Sequence, residues 1–237
     1  MQNTTVKIDK RAALMVAHRG LSAINTENTL PAFEYAGTRS HYGVECDVHI
    51  TKDGKYVIFH DDDTGRLCDK KLAIEESAFA ELRALKFNDD RSGKLCIPTL
   101  EEFLEIVAQS GKHAFIELKR LMPERNIREI IDICARKYDL NNITFISFEL
   151  DNLVAVRRKD NSVSAMYLTC EINDDVINAL LAHGLGLDVY WERLTPENVE
   201  LLHSHGVAVN CWTCDDKTVA ERLVALGVDY ITTDILE

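Results

Sequence analysis

Three short stretches hold the residues with the greatest chemical capacity. His18-Arg19-Gly20 closes an apolar run, Glu45-Cys46-Asp47 lies within a second, and Glu117-Leu118-Lys119 lies within a third. Residues two apart on a strand share a face, which pairs Glu45 with Asp47 and Glu117 with Lys119. A fourth element follows a hairpin signal, Asp53-Gly54. With a two-residue loop there, Lys52 pairs with Lys55 and Asp47 with His60, which puts the imidazole and the carboxylate about 5 Å apart at Cβ. Three carboxylates brought together repel, and burying them uncompensated is costly. A hard divalent cation bound through oxygen resolves that repulsion, and Asp and Glu ligands suit Mg²⁺ or Ca²⁺. Arg19 and Lys119 beside such a site point to an anionic ligand, most simply phosphate. His18 and His60 supply paired acid and base groups near neutral pH. The residues alone describe metal-assisted phosphoryl chemistry.

Such groups meet only if the chain brings several strand ends to one place. Eight apolar runs recur, each followed by a turn and a segment of helical period: Ala13–Ala17, Val44–Ile50, Ala114–Leu118, Ile143–Ile146, Val163–Leu168, Leu185–Val189, Val207–Cys211 and Tyr230–Ile231. Eight is the number that a closed α/β barrel of the TIM type, (β/α)8, requires, and there the C-terminal strand ends share one pocket. A doubly wound open sheet has the same rhythm and is the alternative. Helix starts fit the rhythm. Thr99-Leu-Glu-Glu102 is a capping box, Thr195-Pro196 places proline at a first helical position, and Asp215 caps a helix that ends at Gly227. Ser77 and Ser147 are weaker caps of the same kind. The rhythm breaks between residues 61 and 97, a charged stretch with one short helical pattern (Phe79, Leu82, Leu85). It reads as a small insertion after the second strand, within a single domain spanning residues 1–237.

Composition narrows the function classes. The 237 residues are 46% hydrophobic, enough for a full core, and this excludes a disordered chain. Lys and Arg number 27 against 39 Asp and Glu, a net charge of −12. That balance disfavours nucleic acid and electrostatic docking on anionic membranes. The apolar stretch Ala12–Ala17 is too short for a signal peptide, and no run approaches a membrane span. The seven scattered cysteines suit reduced thiols. These features predict a cytoplasmic protein with no integral membrane association.

The motifs, taken in order, resemble those of the glycerophosphodiester phosphodiesterases. They are His18-Arg19-Gly20, Glu27-Asn28-Thr29, Glu45-x-Asp47, Thr51-Lys-Asp-Gly54, His60-Asp61, Ile97-Pro-Thr-Leu100, Glu117-x-Lys119, Ser147-Phe148, Trp212-Thr213 and Gly227-Val-Asp-Tyr-Ile-Thr-Thr-Asp234. The resemblance runs from about residue 13 to 235. It implies a TIM-type barrel with a small insertion, and hydrolysis of glycerophosphodiesters to glycerol 3-phosphate and an alcohol. It further implies a divalent metal on Glu45, Asp47 and Glu117, an acid/base pair in His18 and His60, and phosphate held by Arg19 and Lys119. Three positions depart from the family pattern. Thr26 stands where proline usually precedes Glu-Asn-Thr, Ile235 replaces a proline after the terminal Thr-Asp, and Trp212 is flanked by Cys211 and Cys214.

Plainer readings compete at each position. The three acids can pair with Arg19 and Lys119 without a metal, though this leaves one negative charge unmatched. Glu27 either orients Arg19 or starts a helix near Leu30. Trp212 either covers a glycerol or head group or belongs to the core. Cys211-x-x-Cys214 ends an apolar run instead of opening a helix and has no second pair, which argues against redox or zinc roles. His49 shares the face of Glu45 and Asp47 but lies farther into the hairpin, and His41, His113, His183, His203 and His205 read as scaffold or surface. Two rival functions remain: a barrel that binds glycerophosphodiesters or phosphate without turnover, and a related barrel phospholipase acting on lysolipids. For an enzyme, the hydroxyl beside the phosphate ester is a built-in nucleophile. The expected route is therefore a cyclic phosphate, with His18 as first base and His60 as first acid.

Overall fold

A computed structural model describes residues 4–90 and 93–237; Arg91 and Ser92, inside the expected insertion, lie outside the described residues. All eight apolar runs are strands: β1 (Leu14–Ala17), β2 (Gly43–Ile50), β4 (His113–Leu118), β5 (Ile143–Ser147), β6 (Ser164–Thr169), β7 (Gly186–Tyr190), β8 (Val209–Trp212) and β9 (Tyr230–Thr233). They pair in parallel, and β1 bonds to both β2 and β9, which closes the ring. Closure excludes the open doubly wound sheet and gives the expected (β/α)8 barrel. The remaining strand, β3 (Tyr56–Ile58), is antiparallel to β2.

Helices surround the ring and bury apolar stripes against it. In α3 (Leu100–Ser110) the buried set is Leu100, Phe103, Leu104 and Val107, and in α4 (Glu124–Lys137) it includes Ile127, Ile130, Ile131 and Cys134. Both sets recur at the three- and four-residue spacing of one helix face. Val16, Phe115, Ile146, Met166 and Leu168 fill the barrel interior. At the N-terminal end of the strands, Tyr42, His113, Phe115 and Tyr230 stack with ring centroids 5.0–5.9 Å apart. Gly43 sits in that plug, where an added Cβ would lie 2.7 Å from the Phe115 ring. The helices α1 (Leu30–Gly37), α2 (Phe79–Arg83), α5 (Leu150–Lys159), α6 (Asp174–His183), α7 (Pro196–Ser204) and α8 (Lys217–Leu226) complete the chain. Among the described residues no helix is long and apolar enough to cross a membrane.

The segment after β3 packs its own small core of Val57, Phe59, Cys68, Ile74, Leu82, Leu85, Phe87 and Ile97. It joins the barrel through Arg83, which pairs with Glu102 of α3 at 2.7 Å.

Several local expectations need correction. β2 and β3 pair Ile50 with Tyr56 and Val48 with Ile58, so the loop has three residues and the register is one residue off the expected pairing. The cause is local: Thr51 bonds to Lys55 across the turn, while the Lys52 amide donates instead to Ser77 O at 3.0 Å. Asp47 therefore faces Phe59, whose amide donates to Asp47 O at 3.0 Å. The cap of α8 is Asp216, which accepts from the Val219 amide, because Asp215 is engaged with Thr233 and the Asp234 amide. Ser77 follows a 3₁₀ turn instead of starting α2, and Ser147 accepts from the Glu149 amide while Glu149 begins α5. The caps at Thr99 and Thr195 form as expected, and α8 ends at Gly227 with φ +88°.

Thr99 accepts from the Glu102 amide at 3.2 Å and Glu102 returns a bond to the Thr99 amide at 2.8 Å. Thr99→Ala removes the first of these and should cost about 1 kcal/mol. In a barrel of this length a thermal melt should register a fall of roughly 2–4 °C. An unchanged melt would mean that the Arg83–Glu102 pair alone holds the start of α3.

Candidate active site

The strand ends carry Glu45 and Asp47 from β2 and Glu117 from β4 to one point, where one oxygen of each lies within 4.8 Å of the others. All three are buried. Burial, with the charges of Asp47 and Glu117 nearby, pushes the Glu45 carboxyl well above the usual carboxylate range. Burial and Asp47 likewise raise Glu117 to about 7, against the opposing pull of Lys119. Asp47 goes the other way: burial would raise it, but Lys119, Arg19 and His60 together hold it far below its ordinary value. The donor set is all oxygen and carries more negative charge than its basic neighbours balance, which fits a hard divalent cation such as Mg²⁺ or Ca²⁺.

Arg19 and Lys119 flank the acids. Lys119 Nζ lies 2.7 Å from Glu117 and 3.3 Å from Asp47. Arg19 Nε lies 3.4 Å from Asp47, and its Nη1 lies 2.8 Å from Glu27. The Arg19 backbone has φ +52°, and in that conformation its amide donates to Glu45 at 2.7 Å. Gly20 follows with φ +78°, and a Cβ there would meet the Ala32 carbonyl carbon at 2.7 Å. Only glycine lets this turn pass under α1. Glu27 thus orients Arg19, while Thr29 stands at the cap of α1.

Both histidines reach the same pocket. His18 Nδ1 lies 2.7 Å from Asp234, which also accepts from Ser22 Oγ at 2.7 Å. His60 Nδ1 lies 2.7 Å from Asp61. Each carboxylate fixes one ring nitrogen and leaves Nε2 for proton transfer. Although its register differs from expectation, His60, just past the Phe59–Asp47 hydrogen bond, lines the pocket. His49, buried beneath, bonds the His60 carbonyl oxygen through Nε2 at 3.3 Å and so supports the backbone of its neighbour. Burial lowers the proton affinity of His60 despite the acids around it.

The pocket, about 120 Å³, is lined by His18, Arg19, Glu45, His60, Glu117 and Lys119 on its charged side and by Ile146, Phe148, Leu168 and Trp212 on its apolar side. Trp212 packs edge-on to Phe148 at 5.7 Å and against Tyr190 at 5.8 Å, so it is both pocket wall and part of a small aromatic cluster. Cys211 and Cys214 are buried free thiols, and burial raises both thiols above their ordinary values.

Four contributors were not singled out from sequence. Asn28 donates to Asp47 at 2.7 Å. Asp61 and Asp234 orient the histidines, and both were visible within quoted motifs. Arg66, from the insertion, grips Glu27 through Nη1 at 2.8 Å and Nη2 at 2.7 Å, and grips Asp61 through Nε at 2.7 Å. It links the partners of Arg19 and His60, and Asp61 is lowered to about 2 chiefly by this bond.

Comparison with known proteins bears on the family and the fold. The sequence profile of the glycerophosphoryl diester phosphodiesterase family matches residues 18–237. A glycerophosphodiester phosphodiesterase of Caldanaerobacter subterraneus subsp. tengcongensis is 30% identical over 228 residues, covering 93% of each chain. Among solved structures, a phosphodiesterase of Oleispira antarctica in complex with the product sn-glycerol-3-phosphate superposes with a TM-score of 0.87 at 26% identity, covering 96% of this chain and 95% of that one. A glycerophosphodiester phosphodiesterase of Parabacteroides distasonis gives 0.81 at 27% identity, covering 94% and 93%. The family match runs from His18, at the end of β1, to the last residue and takes in every strand end that contributes to the pocket, and the chain belongs to the glycerophosphoryl diester phosphodiesterase family.

Proposed function

We propose that this protein is a cytoplasmic, divalent-metal-dependent enzyme that hydrolyses glycerophosphodiesters to glycerol 3-phosphate and an alcohol. The observation that carries this reading is the approach of Glu45, Asp47 and Glu117 to within 4.8 Å of one another between Arg19 and Lys119. The names of the relatives and the product held by the Oleispira antarctica structure support the substrate class. Glu45, Asp47 and Glu117 would hold Mg²⁺ or Ca²⁺, which supplies charge compensation and polarises oxygens of the phosphoryl group.

The chain's own groups do the rest. Arg19 and Lys119 bind the phosphoryl oxygens and stabilise the charge that develops on them. Trp212 covers the substrate from the apolar side. His18, held by Asp234, takes the proton of the hydroxyl beside the ester as that oxygen attacks phosphorus. His60, held by Asp61, gives its proton to the departing alcohol, and its lowered proton affinity makes it a readier donor. Water then opens the cyclic phosphate with the two roles reversed.

The direct test is release of glycerol 3-phosphate from a panel of glycerophosphodiesters with Mg²⁺ or Ca²⁺ and after dialysis into EDTA. Release should stop in EDTA, and the cation should raise the Tm of the wild type but not of Glu45→Gln. Full turnover in EDTA removes the metal, and binding without turnover favours the non-catalytic barrel.

The internal nucleophile has its own test. A substrate whose 2-hydroxyl is replaced by hydrogen should be cleaved several orders of magnitude more slowly. His60→Ala should slow diesters with poor leaving alcohols far more than a nitrophenyl ester. Comparable cleavage of the deoxy substrate means that water attacks directly.

Arg66 is a positioning residue on this reading. Arg66→Ala should lower kcat roughly tenfold. It should also move the alkaline limb of the pH profile upward, because Asp61 no longer shares its charge with the guanidinium and holds the His60 proton more tightly. Arg66→Lys should restore part of both effects. A loss of kcat with an unmoved pH profile would reduce Arg66 to a structural tie.

A further inference from the structure

The lining of the pocket includes a carboxyl group with no place in the chemistry above. Asp188, on β7, is 1% exposed, yet it lines the same cavity as Glu117 and Trp212. It is not one of the three acids whose oxygens approach one another. Its Oδ1 is buried without a hydrogen-bond partner. Asn210 bonds the Asp188 carboxyl and also pairs with Thr232, its Nδ2 donating to Thr232 Oγ1 at 3.0 Å and Thr232 Oγ1 returning a bond to Asn210 Oδ1 at 3.2 Å, yet Oδ1 of Asp188 itself stays open. On the next strand, β8, the indole Nε1 of Trp212 is likewise buried with no acceptor.

A buried acceptor and a buried donor left open on adjacent strands of one pocket are costly in isolation. Native folds satisfy nearly all such groups, and a pair left open in a cavity suits a ligand that completes both. A hydroxyl does so, since it donates through hydrogen and accepts through oxygen. The same lining includes the apolar side chains of Leu168, Phe148 and Trp212, and the charged group acting on Asp188 is Glu117, which is itself an acid. This pair of open groups suits the end of a short polyol and not a second charge, since Asp188 has no basic partner there.

We propose that Asp188, with the Trp212 indole, is the specificity-determining subsite for the terminal hydroxyl of the substrate's glycerol unit. This is the hydroxyl not adjacent to the phosphate ester. The assignment rests on the glycerophosphodiester reading and adds to it the residue that distinguishes glycerol from a shorter or deoxygenated alcohol. A site built to bond a hydroxyl rejects the analogue lacking it, because its own polar groups then stay unpaired.

The test compares sn-glycerol 3-phosphate with propane-1,2-diol 1-phosphate, which lacks only the terminal hydroxyl. Calorimetry in Mg²⁺ measures binding of both to the wild type, Asp188→Ala and Asp188→Asn, and kcat/KM is measured on the corresponding diesters. The wild type should prefer the glycerol ligand by about tenfold or more. Asp188→Ala should bring that preference close to unity, and Asp188→Asn should keep part of it. A wild type that does not discriminate overturns the inference without requiring any variant to fold. A folded Asp188→Ala that keeps the full preference also overturns it, as does one that loses affinity equally for both ligands. If the wild type releases no glycerol 3-phosphate, the hydrolase reading falls while the calorimetric comparison still decides the subsite. If hydrolysis is intact and the preference is absent, only the subsite falls.

Discussion

The organising constraint is the burial of three carboxylates within 4.8 Å of one another. No arrangement of nearby dipoles cancels that charge, so each neighbour is committed to it. The Arg19 amide faces Glu45, the Asn28 amide group faces Asp47, and Lys119 bridges Glu117 and Asp47. The left-handed backbone at Arg19 and Asn28 follows from the same demand, since both residues must turn polar groups inward over a short distance. Backbone strain of this kind persists where surrounding contacts over-determine it. Burial and mutual repulsion push Glu45 and Glu117 up, while Lys119 and Arg19 outweigh burial at Asp47 and hold it down.

Outside that centre the design is bipartite. Each imidazole leans on its own carboxylate, but only one of those carboxylates is further constrained by a guanidinium. Arg66 ties Asp61 to Glu27, and so joins the segment after β3 to the loop that carries Arg19. The insertion, with a small apolar core of its own, thereby acts as scaffold for one half of the site. Asp234 needs no such brace, because it lies at the end of a barrel strand and shares its oxygen with Ser22.

Much of this was legible in the sequence because it depends on local order. Strand ends and helix caps obey short-range rules, and the acids at two-residue spacing declare a shared face. The hairpin was one residue off because the Lys52 amide is captured by Ser77, a contact that spacing cannot show. The cap expected at Asp215 falls to Asp216 for a similar reason, since Thr233 engages Asp215. Arg66 and Asp188 were missed because their meaning comes wholly from distant partners. In sequence, one is a charge in a charged loop and the other an acid in an apolar run. His49, on the same strand face as the acids, bonds the backbone of His60, a contact that again joins residues from the two sides of the hairpin.

The contact between His18 and Asp234 joins residues 216 positions apart, at the seam where β9 meets β1. Loop closure over such a separation carries one of the largest entropic penalties in the chain, and contacts of this kind form late in folding. Glu45, Asp47 and Glu117 come from β2 and β4, which pair directly, whereas His18 meets Asp234 only across the β1–β9 seam. Orientation of the His18 imidazole therefore depends on closure of the ring, and a barrel open at this seam lacks the carboxylate that fixes it.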